Sequence, residues 1–391
     1  MKKFKLRCHQ LIAFIKYCYY CIYCKIHKIH NEDKWIISER GDDARDNGYA
    51  FYKYMVANHP EVDFKYVIKK GSQDERRIEK KRLIYQGSKE HYILFITAGY
   101  LLSTHIMGYS PEFRLFNKLD KLGLIHINGR RIYLNHGIEN QNVDGLKCGK
   151  IKVDLFVCGA KPQYDHELKV LGHPDGVLQY TGMPRYDYLK NNLKNQILFM
   201  PTWRTWLFYC KNPEEFKKSE YFINWNKLIN DEKLRELLEK NNLELVFYPH
   251  YEIQPYLKAF EFNNNRIKIA SIEKYDVQTL LNESRILVSD YSSVIFDFAF
   301  LNKPVIYFQF DYDNFVKFHY GKGYYSYDKD GFGPVSQTVD QTINLIEQYL
   351  ENNFAVEGKY ANNKKRFFTL DENGNSERVY RKILECKKNY I

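Results

Sequence analysis

At 391 residues the chain is too long for one compact core, so its length implies two domains. Hydrophobic residues at 44% and charged residues at 27% exclude a disordered or low-complexity chain. A net charge of +11 asks for an anionic partner (nucleic acid, acidic lipid or phosphorylated substrate), and the eight cysteines, which form no pair of CxxC units, read as thiols of a reducing compartment.

Residues 1–33 stand apart. Lys2, Lys3, Lys5, Arg7, Lys16, Lys25 and Lys28 outweigh Glu32 and Asp33, and Leu11 to Ile15 and Tyr17 to Cys24 form apolar runs interrupted by Lys16. The stretch is too short and too charged for a spanning helix and has no small-residue cleavage site. It reads as a basic helix lying on an anionic membrane surface; the alternative is a helix packing its apolar side on the protein. Cys18, Cys21 and Cys24 share one helical stripe with no fourth ligand nearby, so no metal is assigned.

From Lys34 strands alternate with helices. Lys34–Ser38 is a strand, Asn47–Asn58 a helix, and Asp63–Ile68 a strand. Tyr92–Ile96 is a weaker strand candidate, followed by Leu101–His105, Arg130–Asn135 and Leu155–Cys158. Such alternation indicates a parallel sheet wrapped by helices, with ligand-type residues just past the strand ends. His136-Gly137 fits that place: an imidazole beside a residue whose backbone a ligand can approach. His105 has the same position with less weight.

A second set of strands follows: Gln196–Met200 ending at Pro201-Thr202-Trp203-Arg204, then Leu243–Tyr248 ending at Pro249-His250-Tyr251, then Arg266–Ala270. A charged helix lies near Trp225–Asn241 and another at Val277–Ser284. Ile286-Leu287-Val288 is a buried strand that stops at Ser289-Asp290-Tyr291-Ser292-Ser293. Val294–Leu301 is a buried helix ended by Asn302-Lys303-Pro304, and Val305–Phe310 is the next strand. That βαβ unit sets hydroxyls and free N–H groups at a helix N-terminus, a seat for phosphate or diphosphate. Two such sheets imply an α/β chain of two Rossmann-like domains facing a central cleft: 1–33 the basic segment, 34–185 the first domain, 186–391 the second with the terminal helices.

The SDYSS turn with Val294–Phe308 resembles the signature of the CDP-glycerol glycerophosphotransferases of teichoic acid and capsular polymer synthesis. Further motifs match in family order over roughly residues 35 to 385: Trp35-Ile36-Ile37-Ser38-Glu39 with Asp46-Asn47, His136-Gly137, Gly182-Met183-Pro184-Arg185-Tyr186-Asp187, Pro201-Thr202-Trp203-Arg204, His250-Tyr251, and Asn375 to Tyr380. The resemblance implies a GT-B fold, the acceptor on the first domain and the nucleotide on the second. It implies His136 as general base, with Gly137 beside it, and His250 as the second catalytic histidine. Thr202, Arg204, Asp290, Ser292, Ser293 and, more cautiously, Asp297 would bind the donor. An acceptor hydroxyl would attack the phosphorus of CDP-glycerol or CDP-ribitol and CMP would leave. No metal ligands are assigned, although a divalent metal such as Mg could assist the diphosphate. The implied partners are a lipid-linked saccharide or polymer acceptor and the cytoplasmic face of the cell membrane, with no nucleic acid.

Where the family continues His-Gly with Thr-Pro-Leu-Lys, this chain has Ile138-Glu139-Asn140-Gln141. It reads as a minimal version of the enzyme. The competing readings are a GT-B glycosyltransferase using a nucleotide sugar, and a non-catalytic polyanion-binding protein.

Overall fold

The computed structural model describes residues 2–210, 212–262, 264–319, 323–370 and 372–389, with side chains from residue 7 onward. Two compact units divide it. Unit 1 is Met1–Ile138, Asp144–Tyr188 and Leu370–Ile391; unit 2 is Glu139–Val143 and Leu189–Thr369.

Unit 1 holds seven parallel strands, β1 (Asn31–Ser38), β2 (Phe64–Ile68), β3 (Leu83–Tyr85), β4 (Ala98–Ser103), β5 (Arg130–Tyr133), β6 (Leu155–Cys158) and β7 (Leu178–Tyr180). Their order is β3-β2-β1-β4-β5-β6-β7. The strand direction of winding reverses between β1 and β4, which is where such sheets open a crevice at their carboxyl ends. Helices α1 (Lys2–Ile26), α2 (Asn47–Asn58), α3 (Lys89–Thr97), α4 (Phe113–Lys121) and α5 (Lys161–Val170) accompany the sheet. Both faces are covered, so the central strands are apolar without alternation: Ile36, Ile37, Leu101 and Leu102 are all buried.

Two expectations are corrected here. Tyr92–Ile96 is helix, not strand: the Ser88 hydroxyl accepts from the His91 N–H and caps α3, and Tyr92 and Phe95 are then buried beside Phe116. The terminal helix Asn375–Glu385, expected in the second domain, belongs to unit 1. Asp187 accepts the backbone N–H groups of Asn375 and Ser376 at 2.8 and 2.7 Å, and Tyr380 stacks on His59 with centroids 3.8 Å apart. Asp187 of the Gly-x-Pro-Arg-x-Asp motif is therefore a helix cap.

Helix α1 is apolar on two opposite sides. Ala13, Tyr17, Tyr20 and Cys24 pack against unit 1, with Tyr17 near Phe95 and Phe116 and Tyr20 stacked on Tyr92. The other side leaves Leu11, Ile15, Tyr19, Ile22 and Ile26 each more than half exposed. The side chains of Lys2, Lys3 and Lys5 lie outside the described residues. Among the described residues no helix is long and apolar enough to cross a membrane.

Unit 2 holds six parallel strands, β8 (Gln196–Met200), β9 (Glu244–Phe247), β10 (Ile267–Ile269), β11 (Ile286–Ser289), β12 (Val305–Phe308) and β13 (Val335–Ser336), ordered β10-β9-β8-β11-β12-β13. Its helices are α6 (Pro213–Lys217), α7 (Glu220–Ile229), α8 (Glu232–Lys240), α9 (Val277–Glu283), α10 (Val294–Phe300), α11 (Tyr312–Phe318), α12 (Tyr327–Asp330), α13 (Val339–Glu351) and α14 (Gly358–Phe367). The helix expected over Trp225–Asn241 is two, because the Asp231 side chain accepts from the N–H groups of Lys233 and Leu234 and starts α8 afresh. Trp225 anchors the core beside Phe199, Phe247 and Phe308. The Glu139–Val143 segment packs with unit 2, where Asn140 Nδ2 donates to the Tyr327 hydroxyl at 3.4 Å.

Candidate active site

In unit 1 the turn after β1 is the usual phosphate seat of a Rossmann-like domain. Here it is already filled. The buried Glu39 carboxylate accepts from the backbone N–H groups of Arg45, Asp46 and Tyr49 at 2.8–2.9 Å, at the start of α2. The Glu39 carboxyl thus takes up the N–H groups of Arg45, Asp46 and Tyr49 at the start of α2.

His136-Gly137 lies past β5. Asn135 sits at φ +60°, a conformation asparagine tolerates, and its Oδ1 accepts the His136 N–H at 2.7 Å and the Gly137 N–H at 3.4 Å. Buried Asn47 donates to the Asn135 carbonyl at 2.9 Å, and Arg185 Nη1 donates to the His136 carbonyl at 3.0 Å while pairing with Asp46 at 2.7 Å. The backbone around His136 is thus held from three sides while its ring stays exposed. The ring Nδ1 lies 3.2 Å from the Tyr133 hydroxyl, and the ring stacks on His105 with centroids 4.7 Å apart. Burial, then the neighbouring His136 and Arg40 charges, push the His105 imidazole down to about 3. His105 is therefore a neutral platform for His136 at working pH.

In unit 2 the winding reverses between β8 and β11, and the two motifs expected to bind the donor occupy that point. The Ser289 hydroxyl donates to the Met200 carbonyl at 2.6 Å and ties the two strand ends together. Asp290 Oδ1 accepts the backbone N–H groups of Thr202 and Tyr291 at 2.8 and 2.7 Å. Arg204 is fully enclosed: its guanidinium reaches Asp290 at 2.9 Å and Asp311 at 2.6 Å, donates to the Thr202 carbonyl at 2.7 Å, and faces the Tyr221 and Tyr291 rings. Burial works against that charge, and Asp290 and Asp311 more than offset it. Burial likewise raises the Asp290 carboxyl, against the pull of Arg204.

Arg204 and Asp290, expected among the donor ligands, thus lie beneath the surface and hold the two turns in register. A buried arginine cannot be told from a surface one by its own sequence neighbours, and its second carboxylate stands 107 positions away. Thr202, Ser292 and Ser293 are half-buried at the strand ends. Ser292 Oγ accepts the Val294 N–H at 3.4 Å, and Ser293 is the N-cap of α10 without a side-chain cap bond. Asp297 is buried within the first turn of α10.

His250, past β9, stacks over Trp203 with centroids 6.0 Å apart. Its Nδ1 receives the Glu252 backbone N–H at 3.3 Å. A backbone N–H can only donate, so in the neutral ring the proton sits on Nε2, which makes that atom a hydrogen-bond donor. Sequence reasoning missed Tyr133, Asn135, Arg185 and Asp311 as supports; each lies within or next to a motif or strand end that was noticed.

Two doubly wound parallel-sheet units of this kind define a GT-B-like α/β fold. The solved wall teichoic acid polymerase TagF shares it, with a TM-score of 0.69 at 16% identity over 98% of this chain and 97% of that one. A UDP-N-acetylglucosamine 2-epimerase from Listeria monocytogenes follows at a TM-score of 0.56 and 13% identity, over 92% and 99% of the two chains. The chain belongs to the CDP-glycerol:poly(glycerophosphate) glycerophosphotransferase family, whose model matches residues 20–385. It is 34% identical to the minor teichoic acid biosynthesis protein GgaB of Bacillus subtilis over 91% of its length, and 25% identical to the teichoic acid glycerol-phosphate transferase of Staphylococcus aureus over 90%. It spans 40% of GgaB and 92% of the S. aureus transferase.

Proposed function

We propose that the chain transfers an alditol phosphate, glycerol phosphate foremost, from a CDP-alditol to a hydroxyl of a lipid-linked or saccharide acceptor, with release of CMP, in teichoic acid or capsular polymer synthesis. The observation that carries this reading is His136, an exposed imidazole on a backbone locked by Asn135, Asn47 and Arg185. In the tautomer whose Nδ1–H donates to the Tyr133 hydroxyl, Nε2 keeps its lone pair and takes the proton of the attacking hydroxyl. The P–O bond to the acceptor forms as the bond to CMP breaks. His250 Nε2–H, Thr202, Ser292 and Ser293 supply donors to the leaving phosphate, and Arg204 and Asp290 act by holding those turns in place. The names of its relatives support both glycerol- and ribitol-phosphate donors: a B. spizizenii poly(ribitol-phosphate) polymerase matches at 28% identity, and TagF was solved after a soak with CDPG.

The same reading places the protein on the cytoplasmic face of the cell membrane as a peripheral protein. Its support is the exposed apolar stripe of α1 (Ile15, Tyr19, Ile22, Ile26) flanked by Lys16 on one side and Arg7 and Lys25 on the other, the pattern of a helix lying in an anionic interface. The test offers CDP-glycerol, CDP-ribitol and UDP-sugars in turn with lipid-linked acceptors and follows the nucleotide released. CMP from a CDP-alditol that vanishes in His136→Ala supports the reading. UDP release would instead make the chain a glycosyltransferase, and release of neither would overturn transfer.

A further inference from the structure

Unit 1 carries a hollow that the residues proposed for the transfer do not line. It has a volume of about 580 Å³ and opens at the carboxyl edge of the sheet, on the β3-β2-β1 side. Arg40 reaches it from the turn after β1, Lys69 from the turn after β2, Lys16 from α1 and Arg114 from the start of α4. Its acid is Glu112, whose carboxylate caps α4 by accepting the Leu115 N–H. Arg40 is paired with Asp43 and Lys69 with Asp42, but Lys16 and Arg114 have no ion pair among the described residues. His9, Gln86, Gly87 and Tyr92 also line it, and the rest of the wall is an apolar patch. Ile12 and Ala13 of α1 face Phe113 and Pro111, and Ile12 and Phe113 are 54% and 44% exposed.

We infer that this hollow seats the phosphate or diphosphate headgroup of a membrane lipid, the lipid being the anchored end of the acceptor. The inference rests on the reading of unit 1 as the acceptor half and adds where its anchor sits. Two features carry it. The cations without partners, Lys16 and Arg114, complement an anion, and small anions alone need no apolar wall. That wall is continuous with the exposed stripe of α1, because Ile12 lines the hollow one turn from Ile15. A headgroup held there leaves its hydrocarbon on the face of α1 that would meet the bilayer. The hollow and His136 share one sheet edge, with β1 and β5 two strand spacings apart, about 10 Å. On this reading a short saccharide or polymer unit bridges the anchored phosphate and the reacting hydroxyl along that edge.

Calorimetry of the full chain with farnesyl diphosphate and with inorganic pyrophosphate, in the absence of any CDP-alditol, tests this. Farnesyl diphosphate is expected to bind at least tenfold more tightly than pyrophosphate. K16E/R114E is expected to weaken it at least tenfold, I12S/F113S to erase its advantage over pyrophosphate, and the distant reversal K240E/K274E in unit 2 to leave it intact. Equal loss in both charge reversals would reduce the effect to general attraction and overturn the proposal. Pyrophosphate binding as tightly as the prenyl compound would overturn its lipid part and leave a free-phosphate site. Because no donor is present, this result is independent of whether CMP is ever released, so a failed transfer reading and a failed anchor site give different outcomes.

Discussion

His136 and His250 differ in what their Nδ1 atoms meet, and their substitutions should differ accordingly. His136→Ala removes the proposed base and is expected to lower kcat by roughly 10²–10⁴ with little change in the KM for CDP-glycerol. Tyr133→Phe keeps the ring but removes the hydroxyl 3.2 Å from Nδ1, so a fall in kcat of several-fold at constant donor KM is expected in steady-state assays. An unchanged kcat would show that the hydroxyl does not orient the base. Two other histidines set an acid limit on the fold. Burial holds His91 down to about 4, with its ring bonded to the Gly87 N–H and the Tyr109 carbonyl, and His105 is held down to about 3. The unfolded chain takes up protons near pH 6.5 that the native rings refuse, so their stabilisation is complete above that pH and declines as pH falls towards 4 and below. Each site accounts for up to about 1.4 kcal/mol per pH unit, and thermal melts from pH 7 to pH 4 should show a falling Tm that flattens in His91→Gln.

At the scale of elements, the buried Arg204 with Asp290 and Asp311 makes a prediction that separates packing from ligand binding. Arg204→Met strands two carboxylates in the core, and unit 2 is expected to lose about 3–5 kcal/mol, read as a drop in its melting transition without any substrate present. A surface phosphate ligand would change the KM and leave that transition alone. The strands that bound this site were legible because both faces are buried, which turns them into short apolar runs such as Ile286-Leu287-Val288. Their ends were legible for the same reason: the first polar residues after the run mark the sheet edge, which is how His136, Thr202, His250 and Ser292 were found. Strands β3, β7 and β13 have at most three residues, too few to show any period, and Tyr92–Ile96 is apolar enough for either structure until Ser88 is seen as its cap. What the local pattern cannot carry is long-range pairing. Asp311 beneath Arg204, Asp187 on the terminal helix and Arg185 on the His136 carbonyl all join positions far apart in sequence.

At the scale of the whole molecule, the packing of α1 on unit 1 and its proposed membrane role are duties that mutation can pull apart. Removing residues 1–30 would uncover Tyr92, Phe95 and Phe116, so that truncation is expected to lower Tm as well as membrane affinity. Ile15→Ser with Ile22→Ser touches the exposed side, where the two residues are 58% and 61% exposed. Sedimentation with anionic vesicles should show weakened binding for that pair at unchanged Tm. Equal sedimentation of variant and wild type would remove the membrane role of this face.

Because the terminal helix Asn375–Glu385 completes unit 1, nearly all of unit 2 is spliced into it. During synthesis, the part of unit 1 made before Leu189 must wait for residues 375–385 before Trp35 has the ring of Tyr380 against it and Asp187 has a helix to cap. The inserted portion, made in one run from Leu189 to Thr369, can finish while its host is still open. A nascent chain stalled after Thr369 should therefore resist protease across the inserted portion and be cut readily in the part translated before it.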